Sequence, residues 1–149
     1  MAVIGVTGPR KLTAAETVTA RQQLMELLAD ATHLHVGDAA GLDTLAVAVA
    51  EHLGLPCTVH HAQGRQPWQL AKRSKQMVDA VAAAEGTLAS WPNKPCPEGL
   101  TASSWKGSGT WGTTRYAVIK GVAVELRPLV GVDWPLWLSR EPEQQLSLC

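Results

Sequence analysis

Phenylalanine is absent from this chain, whose aromatic residues are six tryptophans and one tyrosine. Any aromatic volume in the core must therefore come from indoles. An excess of one charge is absent too: thirteen Lys and Arg balance thirteen Asp and Glu. That balance removes a long-range pull on nucleic acid or an anionic membrane and leaves anion binding to local geometry. Cysteine is scarce, and Cys57, Cys96 and Cys149 are far apart with no C-x-x-C pair, which points to reduced thiols rather than a disulfide frame or a zinc site. No apolar run approaches the roughly 20 residues of a membrane span. No charged-then-apolar leader precedes the first strand at Ala2, so the expectation is a cytoplasmic protein without membrane attachment.

What is present is an alternation of short apolar runs and amphipathic stretches. "AVIGV" reads as a buried strand, and Thr13-Ala14-Ala15-Glu16 as a capping box opening a helix. Ala20, Leu24, Leu27, Leu28 and Ala31 supply its apolar stripe. "HLHVG" is a second strand, followed by a helix with Leu42, Leu45, Ala46, Val49 and Leu53 on one side, ended by Gly54 and Pro56. A third strand, "PCTVHH", precedes a helix that starts at Pro67 and buries Leu70, Ser74, Met77, Val78 and Val81. Gln69, Lys72, Arg73, Lys75 and Gln76 fall on its other side. "GTLASW" is the fourth strand, a short helix covers roughly residues 114–120, and "VAVEL" is the fifth strand. Such alternation predicts βαβ units and an α/β fold with a mainly parallel sheet of about five strands, covered on both faces. One domain over residues 1–127 is expected, with residues 128–149 a tail packed on it. In such sheets ligands sit beyond the carboxyl ends of the strands, where strand order reverses.

Three glycine-bearing turns fall at that edge. The first, Gly5-Val6-Thr7-Gly8-Pro9-Arg10, offers backbone amides at Gly8, a hydroxyl at Thr7 and a guanidinium at Arg10. It is neither G-x-G-x-x-G nor a P-loop. The second places Gly37, Asp38 and Gly41 before a helix with Asp43 at its start. Asp43 can accept from ribose hydroxyls or cap the helix, and one carboxylate can do both. The third, Gly107-Ser108-Gly109-Thr110, precedes the last helix, whose free amides and dipole suit a phosphate.

Those stretches, "IGVTGPR", "VGDAAGLDTLAVAVAEHLGLP", "AKRSKQMVDAVAAAEGTLASW" and "GSGTWGTTRYAVIKGVAVEL", make the chain resemble the SMF/DprA-LOG superfamily. That superfamily includes DNA-processing protein A, the LONELY GUY phosphoribohydrolases once labelled lysine decarboxylases, and molybdenum-cofactor carriers. The resemblance implies a Rossmann-like three-layer α/β/α sandwich that binds a nucleotide or nucleotide-like phosphate at these turns. It also implies an active-site role for Arg73, which alone reads as a solvated helix-face residue. Where the phosphoribohydrolases carry P-G-G-x-G-T-x-x-E, this chain has Trp105-Lys106 for P-G and Thr113 for the glutamate. Threonine is no carboxylate base near neutral pH.

The leading expectation is accordingly a binding protein for a phosphate-bearing small molecule, with Thr7, Gly8, Arg10, Gly37, Asp38, Gly41, Asp43, Arg73, Gly107, Ser108, Gly109 and Thr110 around it. Metal-independent cleavage of a nucleoside monophosphate is the alternative, with Arg73 gripping phosphate and Asp38 or Asp43 replacing the missing glutamate. Single-stranded DNA binding, disfavoured by the neutral charge, and a molybdenum-cofactor carrier role follow from the other branches. Of His60 and His61, alternation lets at most one face the ligand. His33 and His35 share a strand face without a third ligand at suitable spacing, so no metal or other cofactor is expected. Trp91, Trp105 and Trp111 can stack on a base or fill the core. Trp134 and Trp137 read as covering a sheet edge or meeting a second subunit, and the resemblance implies a homo-oligomer.

Overall fold

In a computed structural model describing residues 2–138, nine elements run in strict alternation: β1 (Ala2–Thr7), α1 (Ala14–Leu28), β2 (Ala31–Gly37), α2 (Leu42–Leu53), β3 (Cys57–His60), α3 (Pro67–Ala83), β4 (Thr87–Ser90), α4 (Gly109–Ile119) and β5 (Ala123–Leu126). The five strands form one all-parallel sheet in the order β3-β2-β1-β4-β5. The chain thus winds outward from β1 to β3, crosses back through α3 and lays β4 on the other side of β1. Strand order reverses between β1 and β4, and the switch point lies there.

Side-chain alternation along β1 builds both interfaces. Ile4 and Val6 join Leu34, Val36, Ala89 and Trp91 against Leu24 and Leu28 of α1 and Leu42, Ala46 and Val49 of α2. On the opposite face Met77, Val78 and Val81 of α3 pack with Leu88 and with Ala117 of α4. A Cβ on Gly5 would lie 2.6 Å from Val81 Cγ2, so glycine is what lets α3 approach the sheet. Beyond β5, Val132, Trp134, Trp137 and Leu138 pack with Leu100, Trp111 and Leu126, and the Trp111 and Trp137 rings meet edge to face at 6.2 Å. These tail indoles therefore pack beside Leu126 at the end of β5 and against α4. Cys57 and Cys96 are free thiols, and Cys149 lies outside the described residues. Among the described residues no helix is long and apolar enough to cross a membrane.

Local rules place most helix ends. The Thr13 hydroxyl accepts from the Glu16 amide at 3.1 Å while the Glu16 carboxylate accepts from the Thr13 amide at 3.0 Å, which is the capping box the sequence predicts. Two boundaries differ from expectation. The stripe assigned to the first helix includes Ala31, but α1 ends at Leu28 and Ala31 opens β2, paired with Ala2. The last helix begins at Gly109 rather than near residue 114, because Ser108 caps it by accepting from the Trp111 amide at 3.2 Å.

Gly41 and Gly54 both hold φ values near +70°, but their surroundings differ. A Cβ on Gly54 meets nothing within 4 Å, whereas one on Gly41 would lie 2.3 Å from the Pro9 carbonyl oxygen. Gly54→Ala should therefore cost about 1–2 kcal/mol of left-handed strain. Gly41→Ala should cost clearly more, since backbone cannot swing aside. Urea denaturation of the two variants checks this, and equal losses would show that the contact with the first turn does not matter.

Candidate functional site

Parallel strands all end on one side, so the four βα turns gather at a single edge. Between them opens a cleft of about 1170 Å³. Ten of the twelve site residues expected from the sequence line it: Thr7, Gly8 and Arg10 from the first turn, Gly37 and Asp43 from the second, Arg73 from α3, and Gly107, Ser108, Gly109 and Thr110 from the third. Asp38 and Gly41 do not; the first is a tether for Arg73 and the second a packing point against the Pro9–Arg10 backbone.

Several of these residues are there for a different reason than the sequence suggests. A Cβ on Gly8 would stand 2.0 Å from Leu42 Cδ2, so glycine is demanded by the close seat of α2 under the first turn. Gly37 lacks a side chain because the Asp43 carboxylate and the Arg73 side chain cross its α-carbon; a Cβ would lie 2.9 Å from Asp43 Oδ2 and 3.0 Å from Arg73 Nε. Ser108 is the helix cap. Gly109 and Thr110, the first two residues of α4, keep amides that the helix itself cannot satisfy.

Arg73 is the main correction. Helical spacing puts it on the solvated side of α3, yet it is buried. Its Nη1 donates to Asp38 Oδ1 at 2.7 Å and its Nη2 to Ser74 Oγ at 3.3 Å, while Nε has no partner among the described residues. Asp38 also accepts from the Ala62 amide at 3.1 Å and lies 3.6 Å from His61 Nδ1. Partial burial pushes the Asp38 carboxyl up, but the Arg73 hydrogen bond and charge and the Ala62 amide outweigh it and hold it below the ordinary value.

Asp43 behaves in the opposite way. It is the second residue of α2, not its cap, which is Gly41, so the capping role open at the sequence level does not apply. Its Oδ2 accepts from the Ala39 amide at 3.2 Å. Burial dominates, against the pull of Arg73, and raises its pKa to about 6. A cleft-lining carboxyl that titrates so close to neutrality can exchange a proton with a bound molecule.

The sequence reading passes over most of the charge here. Lys11, Arg65, Lys75, Lys94 and Lys106 join Arg10 and Arg73, so seven cationic side chains line the cleft against one carboxylate, Asp43. Counting charges turn by turn rather than over the whole chain would have exposed the asymmetry. Asn93 Nδ2 donates to the Lys11 carbonyl at 3.1 Å, drawing the β4–α4 loop onto the first turn.

The histidine candidates and Thr113 fall away from the cleft. The His35 and His60 rings share a hydrogen bond of 3.0 Å, and His33 pairs with Thr58. Burial first, then neighbouring histidines, lowers the pKa of His35 and of His60. Among the described residues no group of three or more metal-type side chains is placed to hold an ion. Thr113 is buried and donates to the Gly109 carbonyl at 2.7 Å. Trp91 and Trp111 are core residues, with their indole N–H groups donating to Gln23 and to the Lys94 carbonyl. Trp105 and Trp111 border the cleft whereas Trp91 does not, and Trp105 packs on Gly112.

Fold and cleft together define a Rossmann-like α/β domain with a cation-lined cleft at the switch point of its sheet. Beyond that class, no family model, curated protein or solved structure matches the chain.

The Asp43 carboxyl binds its proton more tightly folded than unfolded, so its contribution to stability is full below about pH 4 and is lost as pH rises towards about 6. About two pH units correspond to about 3 kcal/mol. Asp43→Asn should therefore gain stability relative to the parent as pH rises from 4 to 7, by an amount of that order. Urea titrations across this range test it, and a difference independent of pH would show that Asp43 is not held protonated by burial.

Proposed function

We propose that this protein binds a nucleotide or nucleotide-like phosphate ligand in the cleft at the carboxyl edge of its sheet. The observation that carries the reading is the seven-to-one excess of cationic side chains around that cleft in a chain of zero net charge. Local accumulation of this kind focuses attraction on a small anion rather than on an extended polymer. Arg10, Lys106 and the free amides of Gly109 and Thr110 are the groups assigned to the phosphate. Arg73 is already paired to Asp38, so its role is to position the second turn and to add charge. The resemblance to the SMF/DprA-LOG superfamily agrees with this placement.

A second reading, hydrolysis of a nucleoside monophosphate at its N-glycosidic bond, is favoured by one observation: Asp43 faces the cleft with a pKa of about 6. Asp38, held below its ordinary pKa and tied to Arg73, is the poorer proton carrier. Release of free base from a panel of monophosphates, abolished in Asp43→Asn, would establish it.

The binding reading is tested by thermal shift with adenine and guanine nucleotides and with inorganic phosphate. A ligand at 100 times its Kd should raise Tm by about 5–10 °C. Arg10→Ala combined with Lys106→Ala, both exposed positions, should leave the ligand-free Tm in place and remove most of the shift. Absence of a shift with every compound, or a shift indifferent to the double variant, overturns the proposal.

A further inference from the structure

The six tryptophans are not used alike. Trp91 and Trp111 are buried, Trp134 and Trp137 pack with Leu126 and Trp111, and Trp105 lies against Gly112. Trp68 alone keeps 66% of its surface exposed. A scattered exposed apolar side chain is ordinary, and Val18, Ile119, Val130 and Leu136 are of that kind. Trp68 differs from them because it lines the cleft. Local structure does not call for it: α3 is started by Pro67 and by the reciprocal capping of Gln66 and Gln69.

Position adds the second half of the argument. Trp68 follows β3, at one side of the sheet, while Gly109 and Thr110 follow β4. Between those strands lie β2 and β1, and three inter-strand steps of about 4.8 Å make a span on the order of 10 Å or more. Leu70 and Ala71 contribute apolar wall to the same cleft. The cleft therefore has a flat aromatic surface at one side and unsatisfied helix amides at the other, with the unpartnered, buried Nε of Arg73 between the turns as a further donor.

We infer that Trp68 is the platform on which the planar ring of the ligand stacks, that the phosphates lie at the α4 side, and that the ligand is a nucleoside carrying at least two phosphates. This rests on the reading of the cleft as a nucleotide site and specifies which nucleotides fill it. Inorganic phosphate or a sugar monophosphate reaches only one side.

The test is equilibrium titration of the parent, Trp68→Ala and Trp68→Phe with ADP, AMP and inorganic tripolyphosphate. Loss of one base-stacking contact predicts ADP binding weakened about 5- to 150-fold in Trp68→Ala. Trp68→Phe should recover most of that loss, and tripolyphosphate should bind parent and both variants equally. ADP should bind the parent more tightly than AMP. Equal ADP affinity in parent and Trp68→Ala, or a parallel loss for tripolyphosphate, overturns the platform, and AMP binding as tightly as ADP overturns the two-phosphate requirement. If neither ADP nor tripolyphosphate binds the parent, the nucleotide-site reading itself falls and this inference with it.

Discussion

A buried guanidinium can be held at the end of a β-strand only if something leaves room for it and something answers its charge. In this protein Gly37 leaves the room and Asp38, the next residue, answers the charge. The pair joins the end of β2 to the middle of α3, and through the Ala62 amide it also fixes the start of the β3–α3 turn. Removing Asp38 would strand the buried Arg73 charge without a partner, which is the expensive failure for such pairs. That contact ties together the two walls of the cleft formed by the second turn and by α3.

The same contact divides the acidic residues into two kinds. Asp38 is kept ionised by the guanidinium that it orients, whereas Asp43, a few residues on, is dominated by its burial and titrates near pH 6. Two carboxyls of similar position in the chain thus acquire different chemistry from their surroundings, one as a strut and one as a proton carrier facing the cleft. Around them the cations of three separate turns and of α3 converge because a parallel sheet ends all its strands on one side. A chain that is electrically neutral as a whole thereby carries a concentrated positive site.

Much of the architecture was legible residue by residue. The capping box at Thr13, the αL stop at Gly54 and the proline start at Pro67 are local devices, set by backbone groups within a few positions of one another. Strands and helices alternate in the apolar pattern because each must bury one face. The sequence pattern starts the short helix before β5 five residues too late because its early residues, Gly109 to Thr113, include glycines and threonines whose intrinsic preference is weak; the Ser108 cap and the buried Trp111 override it. The burial of Arg73 escapes the sequence pattern for a related reason. Helical periodicity tells which side a residue occupies, not whether a neighbouring strand offers it a carboxylate.

What the amino-acid sequence determined by itself is the order and kind of the elements, the parallel sheet they imply and the set of turns at its carboxyl edge, all of which follow from short-range patterning. What only the tertiary structure decided is which side chains of those turns meet. The seats of Gly8 on Leu42 and of Arg73 across Gly37 join residues 34 and 36 positions apart. The cleft-facing place of Trp68 likewise depends on how α3 lies over the sheet. Such contacts are set by packing, in which each side chain occupies the volume that others leave, and no local periodicity encodes them.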